Sequence, residues 1–356
     1  MKKKKVLVAV SGGVDSAVAA KLLIDQGFDV AGIFLNFWKE EGGASENKCC
    51  SLEAQMDAKN VCLDLGIPFY TYDFSKKFKE EVVDNFLSEY GAGRTPNPCV
   101  VCNKKIKIGG LIEYSLSLGF DYLATGHYCL VKESGGEYSL LKGKDNNKDQ
   151  SYFLYTLSQK HLSHLIFPLG DLKKDKVRKI AREAGLVIAN KSESQEICFI
   201  SGKRHNDFLK KHLKLKSGDI RILNSNELIG SHQGLPLYTI GQRRGIDVGG
   251  TGPYYVADFD YSKNILYVVE EFNDDFLYKK EMFLESVNFI EKVNAPFKSK
   301  VVIRYRHDPV SCQVELSEDN NSLYKVTFLK KQRAVTSGQS AVFYKGRKVL
   351  GGGIIL

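Results

Sequence analysis

The sequence predicts an α/β protein with an N-terminal doubly wound parallel sheet, a small central β-rich domain and a C-terminal β-barrel. Three observations predict it. From Lys5 to about Ala189, short β-branched or aromatic runs alternate with longer amphipathic segments, the pattern of a parallel sheet flanked by helices. A basic helical stretch, Lys203 to Lys216, then leads into Gly-rich sequence with short strands. After about Leu277 the chain reads as alternating strands to its end, a small all-β barrel or sandwich. A chain of 356 residues exceeds what one core organises, and the expected boundaries are 1–202, 203–276 and 277–356.

In the first part the expected strands are Lys5 to Val10, Phe28 to Leu35, Pro68 to Phe74 and Asp121 to Thr125. Helical spacing covers Asp15 to Gln26, Ser51 to Leu65, Phe78 to Tyr90 and Lys104 to Leu118, with Gly27, Gly66, Gly91 and Gly119 where C-caps belong. Ligands of such sheets sit beyond the carboxyl ends of the strands, where Ser11 and Gly126 fall. Further strands are expected at Tyr254 to Asp258, Ile265 to Val269, Val301 to Tyr305, Cys312 to Leu316, Tyr324 to Phe328 and Ser340 to Tyr344.

Hydrophobic residues at 43% and charged residues at 26% point away from disordered and membrane classes. The basic start, Lys2 to Lys5, precedes an apolar run of only Val6 to Val10, which reads as a strand and not as a signal peptide. No apolar run approaches the length of a membrane span, so the expected location is the cytoplasm. A net charge of +9 favours a polyanionic partner. The eight cysteines are then expected as reduced thiols, metal or cluster ligands, or redox groups.

Ser11-Gly12-Gly13-Val14-Asp15-Ser16 lies between a strand and a helix. Two glycines let the backbone close on a ligand, the helix start presents N–H groups to an anion, and two hydroxyls add donors. The Gly-Lys-Ser/Thr ending of a Walker A loop is absent, which argues against γ-phosphate transfer. Cys102 stands just before the basic stretch Lys104-Lys105-Ile106-Lys107, so a helix N-terminus and lysine charge are expected to lower its pKa. Cys198 is read in a short apolar strand, Ile197 to Ile200. Cys62, Cys129 and Cys312 read as inert buried residues, and Cys49 and Cys50 are unassigned. For Lys203 to Lys216 a solvated face and a phosphate-binding face both stand open.

The hexapeptide resembles the signature of the PP-loop ATP pyrophosphatases, which cleave ATP between the α- and β-phosphates and adenylate a substrate. Gly93-Arg94-Thr95-Pro96-Asn97-Pro98, Cys102-Asn103-Lys104, Ala124-Thr125-Gly126-His127-Tyr128, Asn147 to Tyr152, Ile197 to Ile200, Gly241 to Gly245, Ser337 to Tyr344 and Gly351-Gly352-Gly353 resemble, in order, the bacterial tRNA-specific 2-thiouridylases. The likeness spans nearly the whole chain.

That resemblance implies that Ala9, Val10, Ser11, Gly12, Gly13, Val14, Asp15 and Ser16 hold ATP phosphates, with Leu35 and Gly126 near the nucleotide and Asp15 acting through magnesium. It places Asn97, Pro98 and Cys99 at the target base, a wobble uridine. It places His127, Lys148, Asp149, Gln150, Tyr305, Arg306 and Gln339 at the tRNA. It makes Cys198 the persulfide carrier, charged by an upstream persulfide or sulfur-relay donor protein, and Cys102 the nucleophile that closes the cycle with a disulfide. Cys99 departs from a common family form, which has Asp there. With Cys102 and Cys198 it makes three thiols, and ligation of a 4Fe-4S cluster by the three, as in related PP-loop tRNA thiolases, is the alternative to a metal-free persulfide. Two rivals remain: an amide-forming or lysidine synthetase, which has no use for paired cysteines, and a non-enzymatic RNA- or zinc-binding module, which requires a second C-x-x-C pair.

Overall fold

The structure is a computed structural model that describes residues 3–40, 51–191, 197–200, 205–249, 252–320 and 322–356. Cys49, Cys50 and Lys203 lie outside the described residues. Among the described residues no helix is long and apolar enough to cross a membrane.

Strand β1 (Lys5–Ala9) is the centre of the first sheet, with Val6, Leu7 and Val8 fully buried, as befits a strand covered on both faces. It pairs in parallel with β2 (Asp29–Asn36), which pairs with β3 (Phe69–Asp73), and on its other side with β4 (Tyr122–Ala124). The chain next makes a hairpin, β5 (Cys129–Ser134) and β6 (Glu137–Lys142), and returns as β7 (Leu165–Ile166) beside β4. The order β3-β2-β1-β4-β7 reverses between β1 and β4, which sets the ligand crevice at their carboxyl ends. Helix α1 (Val14–Asp25) buries Ala20 and Leu23 toward the sheet and Val14, Ala17 and Val18 against Val177 and Ala181 of helix Lys174–Glu183. Helix α2 (Leu52–Asp64) is capped by Ser51, whose side chain accepts from the Ala54 N–H. Cys62 packs from it against Gly32, where a β-carbon would come within 2.4 Å of the sulfur.

The central sheet, β8 (Gly218–Ile222), β9 (Leu228–His232), β10 (Tyr255–Asp260) and β11 (Ile265–Val269), has the order β10-β11-β8-β9. Six strands follow: β12 (Tyr278–Phe289), β13 (Phe297–Val302), β14 (Val310–Leu316), β15 (Tyr324–Arg333), β16 (Ser340–Lys345) and β17 (Lys348–Ile355). Pairing of β12 with β17 closes them into an antiparallel barrel, the expected architecture. Lys348 of β17 also pairs with Leu141 of β6, so the hairpin from the first part extends the barrel sheet.

Several local expectations change. The helix expected from Lys104 starts at Pro98, passes through a π segment at Asn103–Lys107 and continues as Gly109–Ser117, because Asn97 and Pro98 supply a cap and a pre-set first turn. Gly91 is the last helical residue, and the left-handed turn falls on Gly93. Residues 197–200 form no strand: the Ile200 N–H donates to the Ile197 carbonyl in a turn. Within Lys203 to Lys216 the helix covers His205–His212.

Candidate active site

The loop after β1 is shaped for an anion. Gly12 has φ +70°, and a β-carbon on it would lie 2.3 Å from the Ala54 carbonyl oxygen, so only glycine lets the chain turn this close to the first turn of α2. Ser16 Oγ accepts from the Ser11 N–H and donates to the Gly13 carbonyl, both at 3.1 Å. The loop is thereby closed on itself, and the first N–H groups of α1 have no partner within the helix. The end of β4 meets the same place, since a β-carbon on Gly126 would lie 2.8 Å from the Ser16 nitrogen.

A cavity of about 580 Å³ opens here, within the size range of small-ligand pockets. Ala9 to Ser16, Leu35 and Gly126 line it, as do Pro98, Cys99, Cys102, His127, Lys148, Gln150, Cys198, Tyr305 and Arg306. Most residues singled out in the sequence therefore meet in one space, although they come from both the first part and the barrel. Three do not line it. Asn97 caps helix Pro98–Cys102, its Oδ1 accepting from the Val100 N–H at 3.4 Å. The Asp149 carboxylate turns into its own loop, accepting from the Gly143 and Ser151 N–H groups and the Ser151 hydroxyl. The Gln339 amide donates to the Thr95 carbonyl at 2.8 Å.

Asp15 has partners the sequence did not announce. Lys174 Nζ donates to both carboxylate oxygens, at 2.7 and 2.9 Å, and the Tyr128 hydroxyl donates to Oδ1 at 2.7 Å. Lys174 opens its helix and is 7% exposed. A lysine so buried needs an anionic partner, and the Asp15 carboxylate of the loop is that partner. No local signal marks it, because Asp15 is 159 residues away.

The thiols behave differently from expectation. Cys102 closes the first turn of its helix instead of preceding it, and it is 4% exposed. Burial pushes its thiol well above the usual range, and Lys107 opposes this without reversing it. Burial first, and then Cys198, push Cys99 up to about 11. Cys99, Cys102 and Cys198 all line the cavity. The turn carrying Cys198 is anchored by Phe199, whose ring centroid lies 5.3 Å from Phe86 and 5.6 Å from Phe208. Among the described residues no three His, Cys, Asp or Glu side chains are grouped closely enough to hold a metal ion. Cys62, Cys129 and Cys312 are buried away from this cavity.

His127 reaches the cavity beside them. Its Nδ1 lies 2.6 Å from Thr125 Oγ1, and burial, followed by Lys107, pushes its pKa down to about 3, so at neutral pH the ring is an uncharged hydrogen-bonding group. Tyr305 donates to the Asp149 carbonyl at 3.3 Å, and Arg306 lies over the Tyr305 ring with φ +65°.

A phosphate loop at the switch point of a parallel sheet, with three thiols lining the same cavity, defines a PP-loop nucleotide-dependent enzyme. The comparisons narrow this. Residues 4–202 match the family described as tRNA methyl transferase HUP domain, 206–270 the tRNA methyl transferase PRC-barrel domain and 279–355 the aminomethyltransferase beta-barrel domain. The tRNA-specific 2-thiouridylase MnmA 2 of Geobacillus kaustophilus is 44% identical over 355 residues, covering 99% of this chain and 94% of the relative. The tRNA-specific 2-thiouridylase MnmA of Clostridium perfringens is 42% identical over 361 residues, covering 100% and 99%. The chain belongs to the tRNA-specific 2-thiouridylase family.

Proposed function

We propose that this chain is an ATP-dependent tRNA-uridine 2-sulfurtransferase, which adenylates the wobble uridine of a tRNA and replaces its 2-oxygen with sulfur. The observation that carries this reading is that Cys99, Cys102 and Cys198 line the same cavity as the Ser11–Ser16 loop. An amide-forming or lysidine synthetase would need the loop and no thiols. Methyl transfer, the reaction in two of the family descriptions, would need neither a phosphate loop nor a thiol pair.

The boundaries 1–202, 203–276 and 277–356 separate a catalytic part from two parts that hold tRNA by shape and backbone charge. An anticodon loop suits the cavity, because its unpaired bases can be turned outward without melting a duplex.

The loop fits a nucleotide: Gly12 admits no side chain, the first turn of α1 offers N–H groups, and the buried Lys174 fixes the Asp15 carboxylate. Asp15 is the carboxylate that would hold magnesium together with phosphate oxygens, an ion that screens phosphate charge when bound. Leu35 and Gly126 would flank the nucleotide and Pro98 and Cys99 the base, with Asn97 capping the helix that carries them. His127, Lys148, Gln150, Tyr305 and Arg306 line the cavity on the tRNA side, whereas Asp149 and Gln339 would act there through the loop and the Thr95 carbonyl they hold.

In the reaction the uridine 2-oxygen attacks the α-phosphorus, the bond to the β-phosphate breaks, and pyrophosphate leaves. The terminal sulfur of a Cys198 persulfide then attacks C2, and AMP departs with the former uracil oxygen. Cys102, losing its proton, attacks the Cys198 sulfur. That S–S bond breaks, its electrons stay on the sulfur now part of 2-thiouridine, and a Cys102–Cys198 disulfide remains for a dithiol reductant to reopen. A persulfide-bearing donor protein recharges Cys198. The high pKa that burial imposes on Cys102 keeps this nucleophile protonated until the site opens to substrate.

Nucleoside mass analysis of tRNA incubated with the protein, ATP, magnesium and a persulfide donor tests the proposal. A gain of 2-thiouridine is expected, with Cys198→Ser abolishing it while AMP formation continues. No thiolated uridine with any tRNA would overturn the function, and loss of AMP formation in Cys198→Ser would overturn the separate roles.

A further inference from the structure

Residues 93–97 lie where the three parts of the chain meet, immediately before the helix that carries Cys99 and Cys102. From the turn after β10, the Tyr261 hydroxyl donates to the Gly93 carbonyl at 3.1 Å, and a β-carbon on Gly93 would lie 2.2 Å from that hydroxyl. The Thr95 hydroxyl lies 3.2 Å from that of Thr239. From the barrel, Ser337 accepts from the Thr95 N–H at 2.9 Å, and Gln339 donates to the Thr95 carbonyl at 2.8 Å. Arg94 spans both sides: its Nη2 donates to Glu89 Oε1 at 2.5 Å on the preceding helix, and its Nη1 donates to Glu285 Oε1 at 3.1 Å on β12.

A Gly-Arg-Thr-Pro-Asn segment between two helices has little reason to be rigid by itself. Here contacts from the central part and the barrel hold it, and its last residue, Asn97, caps the helix that follows. The Arg94 side chain is 33% exposed, so its charge alone contributes little; its planar fork, which reaches two carboxylates at once, supplies the geometry.

We propose that Arg94 is a positioning residue for the thiol helix, and that residues 93–97 form a joint through which docking of the two β-rich parts fixes Cys102 in its buried place. Only the expected effect on turnover rests on the thiolation reading. The alkylation rate of each cysteine by iodoacetamide, followed by peptide mass spectrometry in the full-length protein, tests the joint without any assay of activity. Arg94→Ala and Glu285→Ala are expected to raise the Cys102 rate about tenfold through local opening, leaving Cys62, Cys129 and Cys312 at wild-type rates. Arg94→Lys, which keeps the charge and loses the fork, is expected to behave like Arg94→Ala, whereas Glu285→Gln, which keeps an acceptor oxygen, stays near wild type. The kcat for thiolation falls in the first three variants while the KM for tRNA holds. Acceleration of all the buried cysteines together would mean that Arg94 merely stabilises the fold and would overturn the proposal, as would an unchanged Cys102 rate. Selective opening of Cys102 in a protein with no thiolation activity would support the joint while removing the function assigned above.

Discussion

Replacing Lys174 by Gln removes the ammonium that faces both oxygens of Asp15 and leaves the Tyr128 hydroxyl on one of them. Breaking a fully buried ion pair on one side costs ~3–5 kcal/mol. The Asp15 side chain is 30% exposed and that of Lys174 9%, and the Tyr128 hydrogen bond persists, so ~1–2 kcal/mol is expected here. That corresponds to a fall of roughly 2–8 °C in the melting temperature of a part this size. The effect on function is expected to be larger, because Asp15 belongs to the loop proposed to hold the phosphates and loses the ammonium that fixes its carboxylate: kcat/KM for tRNA-dependent pyrophosphate release is expected to drop ~10²–10³-fold. The double variant Asp15→Asn, Lys174→Gln separates the two effects. With no orphaned carboxylate it regains most of the lost stability, while pyrophosphate release stays low. Calorimetry and a coupled pyrophosphate assay read these independently. Wild-type pyrophosphate release in Lys174→Gln would refute the assignment of Lys174 to the nucleotide site; the double variant, which also lacks the Asp15 carboxylate, reads stability alone.

Gly12→Ala forces a β-carbon into the left-handed region against the Ala54 carbonyl, so a loss of at least ~1–2 kcal/mol and of ATP binding by calorimetry is expected; full ATP affinity would contradict the loop geometry. His127 has its pKa pushed down to about 3 from 6.5 by burial. The unfolded ring takes up a proton that the folded ring refuses, so its contribution to stability is complete above pH 6.5 and lost as pH falls toward 3. His127→Gln should flatten the acid limb of a melting-temperature profile, and an unchanged limb would show that the ring is not held neutral. Arg306→Ala should weaken tRNA binding and lower the salt dependence of log K by about one; an unchanged slope in a salt titration would remove Arg306 from the phosphate contacts.

Local chemistry made much of this chain legible. The β-branched run Val6 to Val10, the glycines of the loop and the cap-bearing helices that follow depend on neighbours a few residues away, so the parallel sheet and the phosphate loop at its switch point could be read directly. The strands after Leu277 alternate strongly enough to announce a barrel. Tertiary structure decided the rest, because the controlling interactions join residues far apart in the chain. Lys174 matters through Asp15, 159 residues earlier, and no spacing encodes that meeting. Lysine charge and a helix start pointed to a reactive Cys102, but Asn97 and Pro98 begin the helix earlier and the apolar core buries the sulfur, so desolvation outweighs Lys107. The family resemblance assigns Gln339 and Asp149 to the tRNA; in the fold, the Gln339 amide holds the Thr95 carbonyl and the Asp149 carboxylate holds its own loop, hydrogen bonds that no sequence spacing encodes. Sequence periodicity determines which elements form and which face each buries, whereas the ionisation and the partner of each functional side chain are properties of the assembled interior.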